Sequence, residues 1–552
     1  MKTPWIKSAL TLTAFAGVIA LAACGSYGSP GYESGSDGGA AYDASTGREE
    51  NDGGQFDNGS AGIAPNKPMA GLYYREDGET QPDGAPRDGE PYDEFWEKYD
   101  TNPFVDSEDD RLSTFAVDTD TGAYTKCRAY LNDGHLPPQG YARVEEFVNF
   151  FDYNYEPPTN GAFAIDMDIA PSRYGQDLKN SYLLRVGMQG KVIDPALRKP
   201  AILTFVIDVS GSMDMDNRLG LVKRSLKLLV DQMNERDRIG IAVYGSRGYK
   251  VLDHTPASER STIMQAINRL VPDGSTYAEE GIRIGYEMAS DSFREGFINR
   301  VILCSDGVAN VGNTSHEKIL ETIAEHRRKG IQLSTVGFGM DNYNDTLMEQ
   351  LGDKGDGHYA YVDTIEEAKR IFVDNLTGAL QVIARDTKVQ VEFNPKVVKS
   401  WRLIGYENRD VADEDFRNDS VDGGEVGSGH SVTALYELKL VEDATGPIAN
   451  AIIRYKHDEE DEFIEVNKEV FVKDAVEWEQ APVSFRLAGS VAEFGELIRK
   501  SYWAKGGSYD AVLEDVKKLI ADTDDTDVLE LAGLIVKARD LSADATASAG
   551  GE

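Results

Sequence analysis

Cysteine is nearly missing from this chain, with three among 552 residues. So few thiols cannot build a disulfide framework or a cysteine-rich zinc site. Histidine is scarce as well: there are seven, none in the H-E-x-x-H spacing of a zinc hydrolase. Neither a G-x-x-x-x-G-K-[ST] phosphate loop nor a G-x-S-x-G nucleophile elbow occurs. Positive charge is short, because 57 Lys and Arg face 95 Asp and Glu, a formal net charge of −38. Such a surface repels nucleic acid and anionic lipid head groups and favours solubility. Beyond the first residues, no stretch approaches the roughly 20 apolar residues of a membrane-spanning helix. The usual carriers of chemistry are therefore absent.

What is present is a set of five oxygen-bearing side chains. Asp208, Ser210 and Ser212 stand at i, i+2 and i+4 in FVIDVSGSM, Thr276 lies in DGSTY, and Asp306 lies in ILCSDG. The apolar run Ile202 to Ile207 reads as a central parallel strand covered on both faces, with Asp208 at its carboxyl end. Leu219, Val222, Leu226, Leu229 and Met233 then mark an amphipathic helix. Strands at 239–244, 301–304, 331–338 and 358–362 alternate with helices at 261–270 and 319–328, and a long helix at 366–383 closes the series. This alternation predicts a doubly wound, Rossmann-like parallel sheet over residues 199–384. Ligands of such sheets sit beyond the carboxyl ends of the strands, where three loops bring the five oxygens together. Gly211 is expected to supply an unusual backbone turn there. Two carboxylates and three hydroxyls, without sulfur or imidazole, suit Mg²⁺ or another hard divalent ion such as Mn²⁺ or Ca²⁺.

The flanks differ in character. Residues 1–23 read as a signal peptide, with Lys2 and Lys7 before an apolar run too short to span a bilayer. Residues 24–90, rich in Gly, Ser, Asp, Pro and Ala, read as a disordered tether, and 542–552 as a second disordered tail. Residues 91–160 read as a small α+β segment, in which Asp118 and Asp120 are turn and capping residues in preference to metal ligands. Phe163, Ile165, Met167 and Ile169 alternate with polar neighbours, the period of a half-buried antiparallel strand. Similar strands resume downstream, so residues 161–198 and 385–475 are expected to form one β-sandwich with the α/β domain inserted into it. Residues 476–541 carry apolar helical stripes, such as Phe485, Ala488, Val491 and Ala492, and read as a helical cap. Cys304 reads as a buried thiol, with a Cys127–Cys304 disulfide as the alternative. Asp214, Asp216 and the acidic loop Asp413 to Asp422 read as solvated acids, with further cation sites as the alternative.

The D-x-S-G-S element, the DGST threonine and the SDG aspartate together resemble a von Willebrand factor type A domain with a complete metal-ion-dependent adhesion site, over about residues 200–384. The resemblance implies that Ser210, Ser212 and Thr276 bind the ion directly and that Asp208 and Asp306 act partly through water. An open coordination position would then accept a carboxylate from a protein partner. The ending LAAC at Cys24 resembles the bacterial lipobox, which implies a lipid anchor on Cys24 and a place in the cell envelope. Gly25, where an aspartate is associated with inner-membrane retention, points to the outer membrane or cell surface. INRVILCSDG, VQVEFNPKVV, RLIGYENR and SFRLAGSVAEFGELIR are similar to the YfbK-like bacterial lipoproteins. The expected function is binding of a protein partner through the ion, not catalysis. The alternatives are an ion that only braces a structural component of the envelope, and a metal-assisted hydrolase. For a hydrolase, His254 and His358 are the histidines to consider at the sheet edge, with a hydrogen-bonded structural role as the preferred reading of both.

Overall fold

The computed structural model describes residues 101–175, 177–307, 313–339, 345–457 and 462–549. The expected signal peptide, Cys24, the expected tether and the first residues of the segment starting at 91 lie outside them. The first strands are β1 (Val105–Asp106) and β2 (Leu112–Ala116), followed by helices Gly122–Asn132 and Val144–Asn149. Then come β3 (Phe163–Pro171), β4 (Ser181–Gly190), and the central set β5 (Ala201–Asp208), β6 (Arg238–Tyr244), β7 (Gly248–Pro256), β8 (Ile298–Ser305), β9 (Gln332–Phe338) and β10 (Tyr359–Val362). The last strands are β11 (Val382–Phe393), β12 (Val398–Ile404), β13 (Gly424–Gly427), β14 (Ser431–Leu440), β15 (Pro447–His457) and β16 (Phe463–Phe471).

The central sheet has the order β10-β9-β8-β5-β6-β7. Five strands are parallel, and β7 closes one edge antiparallel to β6. Every residue of β5 is buried, because helices cover both faces. Val222, Leu226 and Leu229 of the helix Leu219–Gln232 pack on one side, and Ile282 and Tyr286 of the helix Ala278–Ser292 on the other. Gly285 lets the second helix lie close to the sheet, since a Cβ there would come within 2.2 Å of Val206 Cγ2. The long helix expected over 366–383 is instead broken into Ile365–Lys369, a π turn Arg370–Asp374 and Leu376–Leu380, and β11 already starts at Val382. Val382 and Ala384 are β-sheet residues here because they pair with β13. Apolar periodicity alone did not reveal that change of partner.

Two further sheets, β1-β12-β14-β4-β3 and β13-β11-β15-β16, face each other across a core that includes Val186, Val389, Trp401, Tyr436 and Ile453. The small α+β segment expected up to residue 160 is not separate from this sandwich: β1 pairs with β12, and β2 pairs with β11 next to β13. The chain enters and leaves the central domain side by side, where the Lys199 amide donates to Gln381 Oε1 at 2.9 Å. Helices Gly122–Asn132 and Val144–Asn149 pack with Val483–Ile498, Tyr509–Thr523 and Thr526–Ala549 around a second core, closed beneath by Leu183 and Leu435 of the sandwich. The last helix continues to Ala549 where a disordered tail was expected from residue 542; its alanines favour continuation of the helix.

Charged side chains weld these parts together. Arg409 of the sandwich reaches Asp118 at 3.0 Å, Glu349 at 3.3 Å and Asp353 at 2.8 Å. Asp118 does form the expected turn, accepting from the Asp120 amide, but its other oxygen belongs to this buried network. Carboxylate oxygens of Asp118, Glu146 and Glu349 lie within 4.8 Å of one another. Arg409, Arg143, Asn408 and the Ala123 amide already donate to them, so the cluster is an ion-pair network. The acidic loop expected to be solvated is also engaged: Asp413 accepts from Thr114, Asp419 pairs with Arg454, and Asp422 pairs with Arg327. Cys127 and Cys304 are both buried, and no disulfide joins them.

Candidate metal centre

β5 lies between β8 and β6, so the chain connections diverge on either side of it, and the carboxyl ends of β5 and β8 border the crevice where doubly wound sheets bind ligands. Asp208 is the last residue of β5, and Asp306 directly follows β8. Both are buried. After Asp208 the chain turns through Ser210 into a short 3-10 turn, Gly211–Met213. The Ser210 amide donates to Asp208 Oδ1 at 2.8 Å, and the Ser210 and Ser212 hydroxyl oxygens stand 3.0 Å apart. Thr276 is half-buried in the adjoining loop, which is held in place because the Gly211 amide donates to the Gly274 carbonyl at 2.8 Å.

The structure thus brings Asp208, Ser210, Ser212 and Asp306 into one hydrogen-bonded cluster, and it sets Thr276 in the neighbouring loop. Gly211 serves differently from expectation. The left-handed positions are Gly274, at φ +64°, and Gly307, at φ +142°. Gly211 matters for close approach, since a Cβ there would come within 3.3 Å of the Gly274 carbonyl. Asp214 and Asp216 are exposed beyond the cluster, as solvated loop acids are.

Three residues of the site were not singled out from sequence. Ser305 donates from its hydroxyl to Asp208 Oδ2 at 2.9 Å and accepts from the Gly307 amide at 3.1 Å. Arg218, buried at the start of the helix, donates to Asp306 Oδ2 at 2.8 Å and to the Ser212 carbonyl at 2.7 Å. Tyr244, at the end of β6, buries its ring next to these carboxylates. The serine before Asp306 and the arginine six residues after Ser212 were the available signals. Neither carries a pattern of its own.

Burial pushes the Asp208 carboxyl up to about 6, opposed by its bonds from Ser210 and raised further by Asp306. Asp306 is also raised by burial, with Ser212 and Arg218 pulling it back. Neither histidine considered earlier belongs to the cluster. His254 bonds Thr204 at 2.9 Å within the sheet, and His358 precedes the first residue of β10, at the amino end of that parallel strand.

The sheet order and the loops at its switch point define a von Willebrand factor type A domain, and residues 203–375 match the family described as "von Willebrand factor type A domain". Residues 90–181 match "von Willebrand factor", and 378–451 with 442–541 match "Uncharacterized protein YfbK, C-terminal". The chain thus carries a von Willebrand factor type A domain followed by a region similar to the C-terminal part of YfbK. It is 37% identical over 353 residues to the uncharacterized protein YfbK of Escherichia coli, covering 62% of this chain and 61% of that protein. It is 29% identical over 232 residues to the uncharacterized protein sll0103 of Synechocystis, covering 41% of this chain and 54% of that protein. The chain therefore spans less than two thirds of either relative. Among solved structures, a von Willebrand factor type A protein from Catenulispora acidiphila aligns with a TM-score of 0.40 at 13% identity, covering 72% of this chain and 89% of that one.

Proposed function

We propose that this chain binds a protein partner through a divalent cation, Mg²⁺ first, held by Ser210, Ser212 and Thr276, with Asp208 and Asp306 supplying negative charge directly or through water. One observation carries the reading: the two serine hydroxyls stand 3.0 Å apart between two buried carboxylates at the switch point of the sheet. Two neighbouring oxygens of an octahedral shell at about 2.1 Å from Mg²⁺ lie about 3.0 Å from each other. Hard oxygen donors also match the preference of such an ion.

The charge balance favours an outside carboxylate. Asp208 and Asp306 would neutralise a divalent ion, and Arg218 beside Asp306 returns one positive charge. Neutral hydroxyls reduce that charge little, so the ion remains electrophilic toward an Asp or Glu of a partner. A purely bracing ion is the weaker reading, because backbone hydrogen bonds already join the loops, including Gly211 to Gly274 and Ser246 to Asp273. Hydrolysis is weaker still, since a catalytic ion needs a general base beside it and His254 and His358 lie elsewhere. We place the molecule in the bacterial cell envelope, anchored through a lipid on Cys24, with the outer membrane or cell surface as its site.

The test is calorimetric titration of the full chain with Mg²⁺ and Mn²⁺, followed by retention of envelope proteins on immobilised wild type and Asp208→Ala. Partners retained in magnesium, released by EDTA and lost with the variant support the reading. Partners that ignore both EDTA and the variant overturn it. Labelling with radioactive palmitate, lost in Cys24→Ala, tests the anchor.

A further inference from the structure

Among the described residues large apolar side chains are mostly covered, yet several exposed ones stand around the oxygen cluster, Val271 on the Thr276 loop among them. Met215 is 50% exposed, Tyr249 38% and Tyr277 61%. Met215 lies just beyond Ser212, Tyr277 directly follows Thr276, and Tyr249 is the second residue of β7, opposite Val243 near the carboxyl end of β6. The segments of Tyr249 and Tyr277 are held together, because the Ser246 amide donates to the Asp273 carbonyl at 3.1 Å and the Tyr277 amide to the Gly245 carbonyl at 3.2 Å, and the Met215 carbonyl accepts from the Arg218 amide at 3.1 Å. The Arg247 guanidinium sits 5.7 Å from the Tyr249 ring centroid. Tyrosine, methionine and arginine are enriched where proteins bind one another, and rigid aromatic groups contribute most there. Three exposed acids, Asp214, Asp216 and Glu279, share this rim with the exposed Arg247 and outweigh it.

We propose that the partner presents a protein loop in which one Asp or Glu is flanked by a large apolar side chain and by Lys or Arg. This rests on the metal-dependent reading above and adds the selectivity that the ion lacks. A divalent cation accepts any carboxylate, and this chain is itself covered with them at a net charge of −38. Asp214, Asp216 and Glu279 repel a run of acids, so an ordinary acidic surface, including that of a second copy, is turned away. A basic flank is attracted by the same three groups, and an apolar neighbour covers Met215, Tyr249 and Tyr277. Repulsion and burial together select a short mixed segment.

A phage-displayed library of random disulfide-cyclised peptides, panned on the full chain in magnesium and eluted with EDTA, reads this directly. The expected eluate is enriched in sequences with one carboxylate between apolar and basic neighbours. A synthetic peptide of that consensus should bind about tenfold more weakly to a Met215→Ser, Tyr277→Ser double variant, while Mn²⁺ affinity stays unchanged. Eluted sequences with a carboxylate but without such neighbours, or a double variant that binds the peptide as wild type does, overturn this inference and leave the metal-dependent reading standing. If nothing elutes with EDTA, both are overturned.

Discussion

Arg218 Nη1 donates to Asp306 Oδ2 at 2.8 Å, and both groups are buried at the carboxyl end of the central sheet. An arginine beside a proposed cation site looks repulsive, yet it sets how much charge the ion keeps. Replacing Arg218 with Gln is expected to tighten Mn²⁺ binding several-fold while weakening capture of a carboxylate ligand. The same change leaves the Asp306 carboxylate without its cation, which should cost about 3 kcal/mol of stability in EDTA. Mn²⁺ titration, peptide binding and urea unfolding of this one variant check the three expectations. Weaker Mn²⁺ binding would show that Arg218 only shapes the loop.

Ser305 reaches the same cluster from β8, donating to Asp208 Oδ2. Ser305→Ala removes that bond and leaves a buried carboxylate oxygen without it, a loss of about 1–3 kcal/mol. Mn²⁺ affinity should fall less than in Asp208→Ala, because the ligand itself remains. Calorimetry on both variants ranks them.

Arg409 holds Asp118, Glu349 and Asp353 in one network. Arg409→Met strands these acids, and about 3–5 kcal/mol of stability should be lost. Urea unfolding at neutral pH measures it. A double change of Arg409 and Asp118 to apolar residues is expected to lose less than the sum of the single changes.

Gly285 faces Val206 too closely for a Cβ, at 2.2 Å. Gly285→Ala must push the helix off the sheet or force Val206 from its rotamer, at about 1–3 kcal/mol. A lower unfolding midpoint with unchanged denaturant slope is the expected result.

Glu493 is buried in the helix Val483–Ile498, where burial, reinforced by Glu496 and Glu437 and opposed by Arg402, pushes its carboxyl up to about 8 from an ordinary 4.5. The folded state therefore holds a proton that the unfolded chain releases between those values. The resulting stability is complete below about 4.5 and is lost as pH rises through about 8. Glu493→Gln removes this dependence and should be more stable than wild type above that pH. Urea midpoints at acid and alkaline pH, compared between the two proteins, give the difference.

The positions of Asp208, Ser210, Ser212, Thr276 and Asp306 were legible because each falls beside a strand end or in a glycine-bearing loop, and a strand covered on both faces reads as an unbroken apolar run. β7 was not legible. Its residues GYKVLDHTP form a half-exposed edge, so no alternation separates it from a loop. The helix Asp345–Lys354 was hidden likewise, since Leu347, Met348 and Leu351 are few among polar neighbours. The roles of Ser305 and Arg218 depend on contacts 97 and 88 residues away along the chain. Local pattern cannot encode such pairings. The attachment of β2 to β11 is invisible for the same reason, because a strand's pattern shows its buried face and not its neighbour.

The amide of Lys199 and the side chain of Gln381 meet where the polypeptide crosses into and out of the central domain. The oxygen cluster lies at the opposite ends of the parallel strands. A load applied there is divided between two covalent crossings that continue into different sheets, β4 in one and β11 in the other. The hydrogen bond ties the two crossings at one point, so the central domain is mounted on both sheets as on a two-legged bracket.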